Sequence, residues 1–318
     1  MISLHEIRDA AEALEGIAHR TPVIESHSLN EITGLQLFFK AETLQRTGSF
    51  KFRGAYNALR QMTPSEKQRG VVTYSSGNHG QAVALSAKLV GTDAVVVMPS
   101  DAPKAKQVAT RAYGATIVPY DRTSEDRLEL ASKIAATERR LLIQPYDDER
   151  VIAGQGTIAL ELAEQCGPLD AVFAPIGGGG LISGITLGLA ELMASCEVIG
   201  VEPNDADDTK RSLAAGHRVS IPPPTTIADG LRATQPGELT FPIVQRLVRR
   251  IVAVTEQEIL DATRLLFERL KLVVEPSGAC SVAGVLQPGQ LPPASRVGVI
   301  LSGGNVDPST FAGILSHA

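Results

Sequence analysis

Cysteine is scarce in this 318-residue chain. Cys166, Cys196 and Cys280 lie far apart and form no C-x-x-C pair, which argues against a disulfide framework and against a zinc site built on paired thiolates. An excess of basic charge is missing as well: 30 Lys and Arg stand against 35 Asp and Glu, for a formal net charge of −5, so no electrostatic footprint for nucleic acid exists. Nowhere do about 18 uncharged apolar residues run together, so no membrane span is expected. The opening stretch, MISLHEIRDAAEALEG, carries acids early and has no continuous apolar run, so no secretory signal is expected there and a soluble protein of the reducing cytoplasm is the default reading. Repeats and low-complexity tracts are absent too. What remains is an ordinary globular composition, 43% hydrophobic and 20% charged, in a chain long enough for two domains of about 100–200 residues each.

From about residue 70 short β-rich runs alternate with helical stretches: VVTY, then QAVALSAKLVG, DAVVVMP, APKAKQVATRAYG, ATIVPY, SEDRLELASKIAATERR and LLIQPY. This order predicts βαβ units around a parallel sheet. The apolar runs do not alternate with polar residues, as expected of strands covered on both faces. A second series begins near Val151, with GTIALELAEQC as helix, LDAVFAPI as strand, LISGITLGLAELMA as helix and CEVIGVEP as strand. Thr255 with Glu258 makes a capping-box pattern before a helix ending near Lys271. VGVILSGGN reads as a last strand with a glycine-bearing turn, and IPPPTT as a loop. Two α/β lobes are the coarse expectation.

Four segments each end a strand or open a helix, where open α/β sheets place ligands. In Thr47-Gly48-Ser49-Phe50-Lys51-Phe52-Arg53 a lysine flanked by two phenylalanines could be desolvated, which lowers an amine's pKa and frees it to form a Schiff base with a carbonyl cofactor. The alternative is a lysine snorkelling past two core aromatics. Ser75-Ser76-Gly77-Asn78-His79 combines hydroxyls, an amide and helix N-terminal N–H groups suited to a carboxylate, or it is a capped strand-to-helix turn. Gly177, Gly178, Gly179 and Gly180 let backbone N–H groups approach an anion. They match neither G-x-G-x-x-G nor the P-loop, so a single phosphate fits better than a pyrophosphate. Ser302-Gly303-Gly304-Asn305 reads alone as a turn. The acidic run from Glu202 to Asp208 suits a hard cation through oxygen ligands, or a solvated loop.

Taken together, SFKFRGA, SSGNHGQA, AGQGTIALE, GGGGLISG, VEPNDADD, TIADG and SGGNVD match in order and spacing a known family. The chain resembles the fold type II pyridoxal-phosphate enzymes, and within them the serine racemase and serine/threonine dehydratase family, over nearly its whole length. The resemblance implies an α/β, two-lobe fold of the tryptophan synthase β kind, each lobe a twisted, mostly parallel sheet flanked by helices. Residues 1–69 and 148–318 would form the large cofactor-binding domain, and 70–147 a small mobile one. Lys51 would be the Schiff-base lysine and the base on one cofactor face, with Phe50 beside it, and Ser76 the base on the other. Asn78 would bond the ring oxygen. Gly177 to Gly180 with Leu181 would hold the phosphate, and Ser302 the pyridine nitrogen. Ser75, Ser76, Asn78 and His79 would grip the substrate carboxylate, with Arg127 near the substrate as a candidate clamp for a second carboxylate. Glu202, Asp208 and the Ala206 carbonyl match a divalent-cation site for Mg²⁺, Mn²⁺ or Ca²⁺.

The implied activity is that of an ammonia-lyase: a dehydratase converting serine, threonine or 3-hydroxyaspartate to a 2-oxo acid, with racemisation if Ser76 returns a proton. A homodimer is implied as well. ATP-binding members carry a lysine where Arg46 stands and an asparagine where Tyr146 stands, while Gln81 and Tyr113 match, so the resemblance does not extend to nucleotide activation. With no regulatory domain after residue 318, a feedback-inhibited biosynthetic enzyme is not expected. Two other readings stay open: a β-replacement enzyme of the cysteine-synthase kind, and a cofactor-binding metabolite sensor without turnover.

Overall fold

Runs of β-branched and other apolar residues too short for helices become strands, buried on both faces at the sheet centres and partly exposed at the edges. They are β1 (Val23–Glu25), β2 (Gln36–Ala41), β3 (Val71–Tyr74), β4 (Ala94–Pro99), β5 (Thr116–Tyr120), β6 (Leu141–Leu142), β7 (Ala171–Pro175), β8 (Glu197–Pro203), β9 (Arg250–Val254) and β10 (Arg296–Leu301). The computed structural model describes residues 2–75, 77–102 and 104–316. Its strands form a six-stranded sheet in the order β1-β2-β10-β7-β8-β9 and a four-stranded one in the order β5-β4-β3-β6. Among these described strands every pairing but β1–β2 is parallel. The smaller sheet lies wholly between residues 71 and 142, inside the second segment of the expected division.

Several boundaries differ from expectation for local reasons. The stretch read as strand from Leu141 through Tyr146 pairs only over Leu141–Leu142. The chain then turns at Pro145, which has no N–H for a ladder. The helix read at 156–166 starts at Glu149, because the Asp148 side chain accepts the Arg150 N–H and caps it there. Residues before 70, left unassigned by pattern, hold helix Leu4–Leu14, capped by a Ser3/Glu6 box, and the pair β1–β2. The Thr255/Glu258 box does open helix Glu256–Leu270, which Lys271 ends in the left-handed region.

Two devices seat the helix Lys51–Arg60. Glycines let it approach helix Glu149–Cys166, and that helix approach Gly180–Leu192. A Cβ on Gly154 would lie 2.6 Å from the Gly54 Cα, and one on Gly184 would lie 2.5 Å from the Gly156 nitrogen. A buried ion network lies beneath. Arg53 Nε and Nη2 each donate to Glu42 at 2.8 Å, Arg53 Nη1 to Glu161 at 2.6 Å, and Lys40 Nζ to Glu161 at 2.5 Å. Removing one partner from such a group leaves an uncompensated buried charge, at a cost of about 3–5 kcal/mol.

Candidate active site

Two motifs about 250 residues apart in sequence meet at the carboxyl end of β10. Phe50 N–H donates to the Ser302 carbonyl at 3.1 Å, and Gly304 N–H to the Gly48 carbonyl at 2.9 Å. Asn305 Nδ2 donates to the Thr47 carbonyl at 2.6 Å. This grip holds Thr47 at φ 60 and Gly48 at φ 72. For Thr47, a β-branched residue, that is a strained conformation, kept only because its surroundings over-determine it. The turn delivers Lys51 to the first position of its helix. Lys51 Nζ donates to the Pro145 carbonyl at 2.7 Å and lies 5.1 Å from the Phe50 ring centroid. Burial brings its amine down to about 8. Phe52 is not a second flank: it is fully buried in the core beneath the small sheet.

A cleft open to solvent runs from Lys51 to the four-glycine turn. Phe50, Ser75, Asn78, His79, Arg127, Leu181 and Ser302 line it with Gly177, Gly178, Gly179 and Gly180. Helix Gly180–Leu192 starts there with no side-chain cap, Gly179 being left-handed at φ 91. The N–H groups of 178–181 have no protein acceptor among the described residues. A Cβ at Gly178 would run into the ring of Tyr146, and one at Gly179 would lie 2.9 Å from Thr240 Oγ1. Only glycine fits this cradle, whose free N–H groups and helix dipole suit an anion. Helix Asn78–Val90 opens on the same cleft, also without a side-chain cap. Ser76 lies outside the described residues.

The Asn78 amide is held from both ends. Its Oδ1 accepts from Asn305 Nδ2 at 2.9 Å, and its Nδ2 donates to Glu275 Oε1 at 2.5 Å, so its second amide hydrogen is left for a ligand. Glu275 Oε2 is buried with no partner. Burial, then the nearby charge of Asp229, pushes the Glu275 carboxyl up to about 8. His79 Nδ1 is likewise buried and unpartnered. Burial, then the Lys51 charge, holds this imidazole down at about 3, so it is a neutral hydrogen-bonding group and no base. Sequence reasoning missed Glu275 and Lys106 and took in Asp229 only within the TIADG motif, without a role; the Lys106 and Asp229 side chains pair at 2.5 Å in the cleft.

The acidic run folds separately. Glu202 is fully buried at the end of β8, accepting the N–H groups of Thr209 and Lys210 at 3.2 and 3.0 Å. Both Asp208 carboxylate oxygens are buried and unpartnered, and Ala206 is buried beside them in sequence. Burial, and for Glu202 the charge of Asp208, pushes both carboxyls up. No cluster of three or more His, Cys, Asp or Glu gathers as metal ligands among the described residues; the candidate set is two carboxylates and a carbonyl.

The family model for pyridoxal-phosphate dependent enzymes matches residues 14–303. The chain belongs to that family. Among its relatives is an L-threo-3-hydroxyaspartate ammonia-lyase from Pseudomonas sp, 47% identical over 98% of each chain. A serine racemase from Schizosaccharomyces pombe is 44% identical over 98% of this chain and 97% of its own. The crystal structure of a T.th. threonine deaminase superposes with a TM-score of 0.91 at 44% identity, covering 96% of this chain and 99% of that one. The family's cofactor fits the cleft: a desolvated amine at one end, an anion cradle at the other, and an oriented amide with a free hydrogen between.

Proposed function

We propose that the protein is a pyridoxal-phosphate-dependent ammonia-lyase that converts a β-hydroxy amino acid to a 2-oxo acid and ammonia. The observation that carries this reading is the Lys51 amine, stripped of water, in the same cleft as the open four-glycine cradle. Lys51 would hold the cofactor covalently, with Phe50 against it. The N–H groups of Gly177, Gly178, Gly179, Gly180 and Leu181 would bind the phosphate, the free Asn78 amide hydrogen the ring oxygen, and Ser302 the ring nitrogen. When bound, the cofactor supplies an electron sink that acidifies the substrate Cα–H.

Ser75, Asn78 and neutral His79, at an uncapped helix N-terminus, would receive the α-carboxylate. Lys51 Nζ takes the Cα proton as a general base. The β-hydroxyl leaves as water, and water returns as the amine departs as ammonia. A neutral residue at the ring nitrogen makes a weaker electron sink, which favours prompt elimination. The serine racemase relatives favour a second activity at the same site: return of the proton from the opposite face, with Ser76 as its donor. Glu202, Asp208 and the Ala206 carbonyl would hold a divalent cation, whose charge would answer the two orphaned oxygens of Asp208. The segment 70–147 would close over substrate to exclude water, within a homodimer.

A panel of L- and D-serine, L-threonine and the 3-hydroxyaspartate stereoisomers tests the reading, with 2-oxo acid detection and chiral analysis. Stoichiometric ammonia and 2-oxo acid from at least one substrate is expected. Consumption only in the presence of a second nucleophile would point instead to β-replacement, and bound cofactor with no turnover to a sensor.

A further inference from the structure

Four glycines in a row give the anion cradle no side chains of its own to lock it, so its shape has to be fixed from outside. One hydroxyl supplies the lock. Thr240 Oγ1 donates to the Gly178 carbonyl at 2.7 Å, supported by the Gly237 N–H at 3.4 Å. A trans peptide points its C=O and N–H to opposite sides. A Gly178 carbonyl held on Thr240 therefore turns the Gly179 N–H away from that residue. Thr240 is fully buried and lines no part of the cleft, whereas Gly179 does line it.

Thr240 opens helix Thr240–Leu247, which has no side-chain cap from its own neighbours, an apolar Leu239 standing at the capping position. The cap comes instead from Asp147, 93 residues away. Asp147 Oδ2 accepts the Glu238 N–H at 2.9 Å, and its Oδ1 accepts the Leu239 and Thr240 N–H groups at 2.8 and 3.3 Å. Gly237 makes room for this, since a Cβ there would run into the Asp147 carboxylate. A carboxylate is favourable at the positive end of a helix, and the three N–H groups offset its repulsion of a phosphate in the cradle. Asp148, the next residue, caps its own helix Glu149–Cys166, so two adjacent carboxylates serve two helices. The same short segment also reaches both ends of the cleft: the Pro145 carbonyl accepts from Lys51, and the Tyr146 ring lies against Gly178. We propose that Asp147 is a positioning residue of the anion cradle, acting through Thr240. It holds the 238–240 turn, the turn holds the Gly178 carbonyl, and that carbonyl's peptide aims an N–H at the phosphate. This role presupposes the reading, given above, of the cradle as the phosphate's seat.

The test measures, by visible absorbance, the binding to cofactor-free protein of pyridoxal phosphate and of 5′-deoxypyridoxal, which carries the same aldehyde without the phosphate. The ratio of the two affinities reads the cradle, because a variant that merely loosened the fold would weaken both ligands alike. Wild type is expected to prefer the phosphate ester. Asp147→Asn keeps the size of the side chain but has a single acceptor oxygen and turns an NH₂ group on the three N–H groups. It is expected to lower the ratio about tenfold, equivalent to about 1.4 kcal/mol. Thr240→Val removes the hydroxyl and is expected to lower the ratio as much. The double variant should lose no more than the larger single loss, as for members of one chain of contacts. A ratio within about threefold of wild type in Asp147→Asn overturns the role, and so do fully additive losses in the double variant. If Asp147→Asn fails to fold, an unchanged ratio in Thr240→Val overturns it. A wild type that binds both aldehydes equally would instead sink the reading of the cradle as a phosphate site, and the role with it.

Discussion

An amine packed against Phe50 and the Pro145 carbonyl loses the hydration that keeps an ordinary lysine charged, and this brings Lys51 down to about 8. Only the neutral amine attacks a carbonyl. In cofactor-free protein the rate of covalent loading, followed by visible absorbance, is therefore expected to rise about tenfold per pH unit below 8 and to level off above it. A profile still climbing to pH 10 would mean that Lys51 is as solvated as any surface lysine. Glu275 runs the opposite way. Its carboxyl is raised in the fold above its unfolded value, so between about pH 4.5 and 8 the native state binds a proton that the unfolded state has lost, and stability falls as pH rises through that window. Glu275→Gln keeps the acceptor for Asn78 and cannot ionise. It is expected to match wild type near pH 5 and to exceed it near pH 9 by roughly 1–3 kcal/mol, the cost of an unsatisfied buried group. Denaturant melts at the two pH values check this. Lys51, Asn78 and the glycines were legible because each lies in a contiguous motif. Glu275 and Lys106 were not, and Asp229 was legible only as part of the TIADG motif: the lysine looks like the polar face of an amphipathic helix, and the acids like loop residues, until the fold brings 106, 229 and 275 together.

At the scale of elements, close helix contact does what side chains cannot. Helix Gly180–Leu192 carries the anion cradle at one end and lies against helix Glu149–Cys166 through Gly184. Gly184→Ala would set a methyl 2.5 Å from the Gly156 nitrogen and against the Ile152 carbonyl. Both neighbours are backbone and cannot rotate away. A loss of about 2 kcal/mol or more is expected, with weaker cofactor retention as the cradle shifts, read by urea melts and equilibrium dialysis. Such a position reads in sequence only as an interruption of helix propensity. The Thr255/Glu258 capping box is the reverse case, formed by residues three apart and so read from the sequence alone, whereas the boxes at Ser3 and Thr63 went unread. The clamp of the 47–51 turn onto the 302–305 turn was half legible: both motifs stood out, their contact did not.

For the whole molecule, the cation proposed at Glu202, Ala206 and Asp208 would join β8 to the helix that follows it, well away in sequence from Lys51. Millimolar Mg²⁺ or Ca²⁺ added to chelator-treated protein is expected to raise the melting temperature by roughly 5 °C, since a ligand bound only by the native state stabilises it by mass action. Asp208→Asn should abolish the rise. A wild type indifferent to both cations and to EDTA would remove the site. Order along the chain, the alternation of strand and helix and the identity of the chemical groups were all set by the sequence, because periodicity, caps and glycine content act over a few residues. Only the tertiary structure decided which groups share one low-dielectric cleft. Burial makes Lys51 reactive, burial and the like charge of Asp229 keep Glu275 neutral, and the unlike charge of Asp229 keeps Lys106 a cation; the partners, Pro145 for Lys51 and Asp229 for the other two, lie 94, 46 and 123 residues away along the chain.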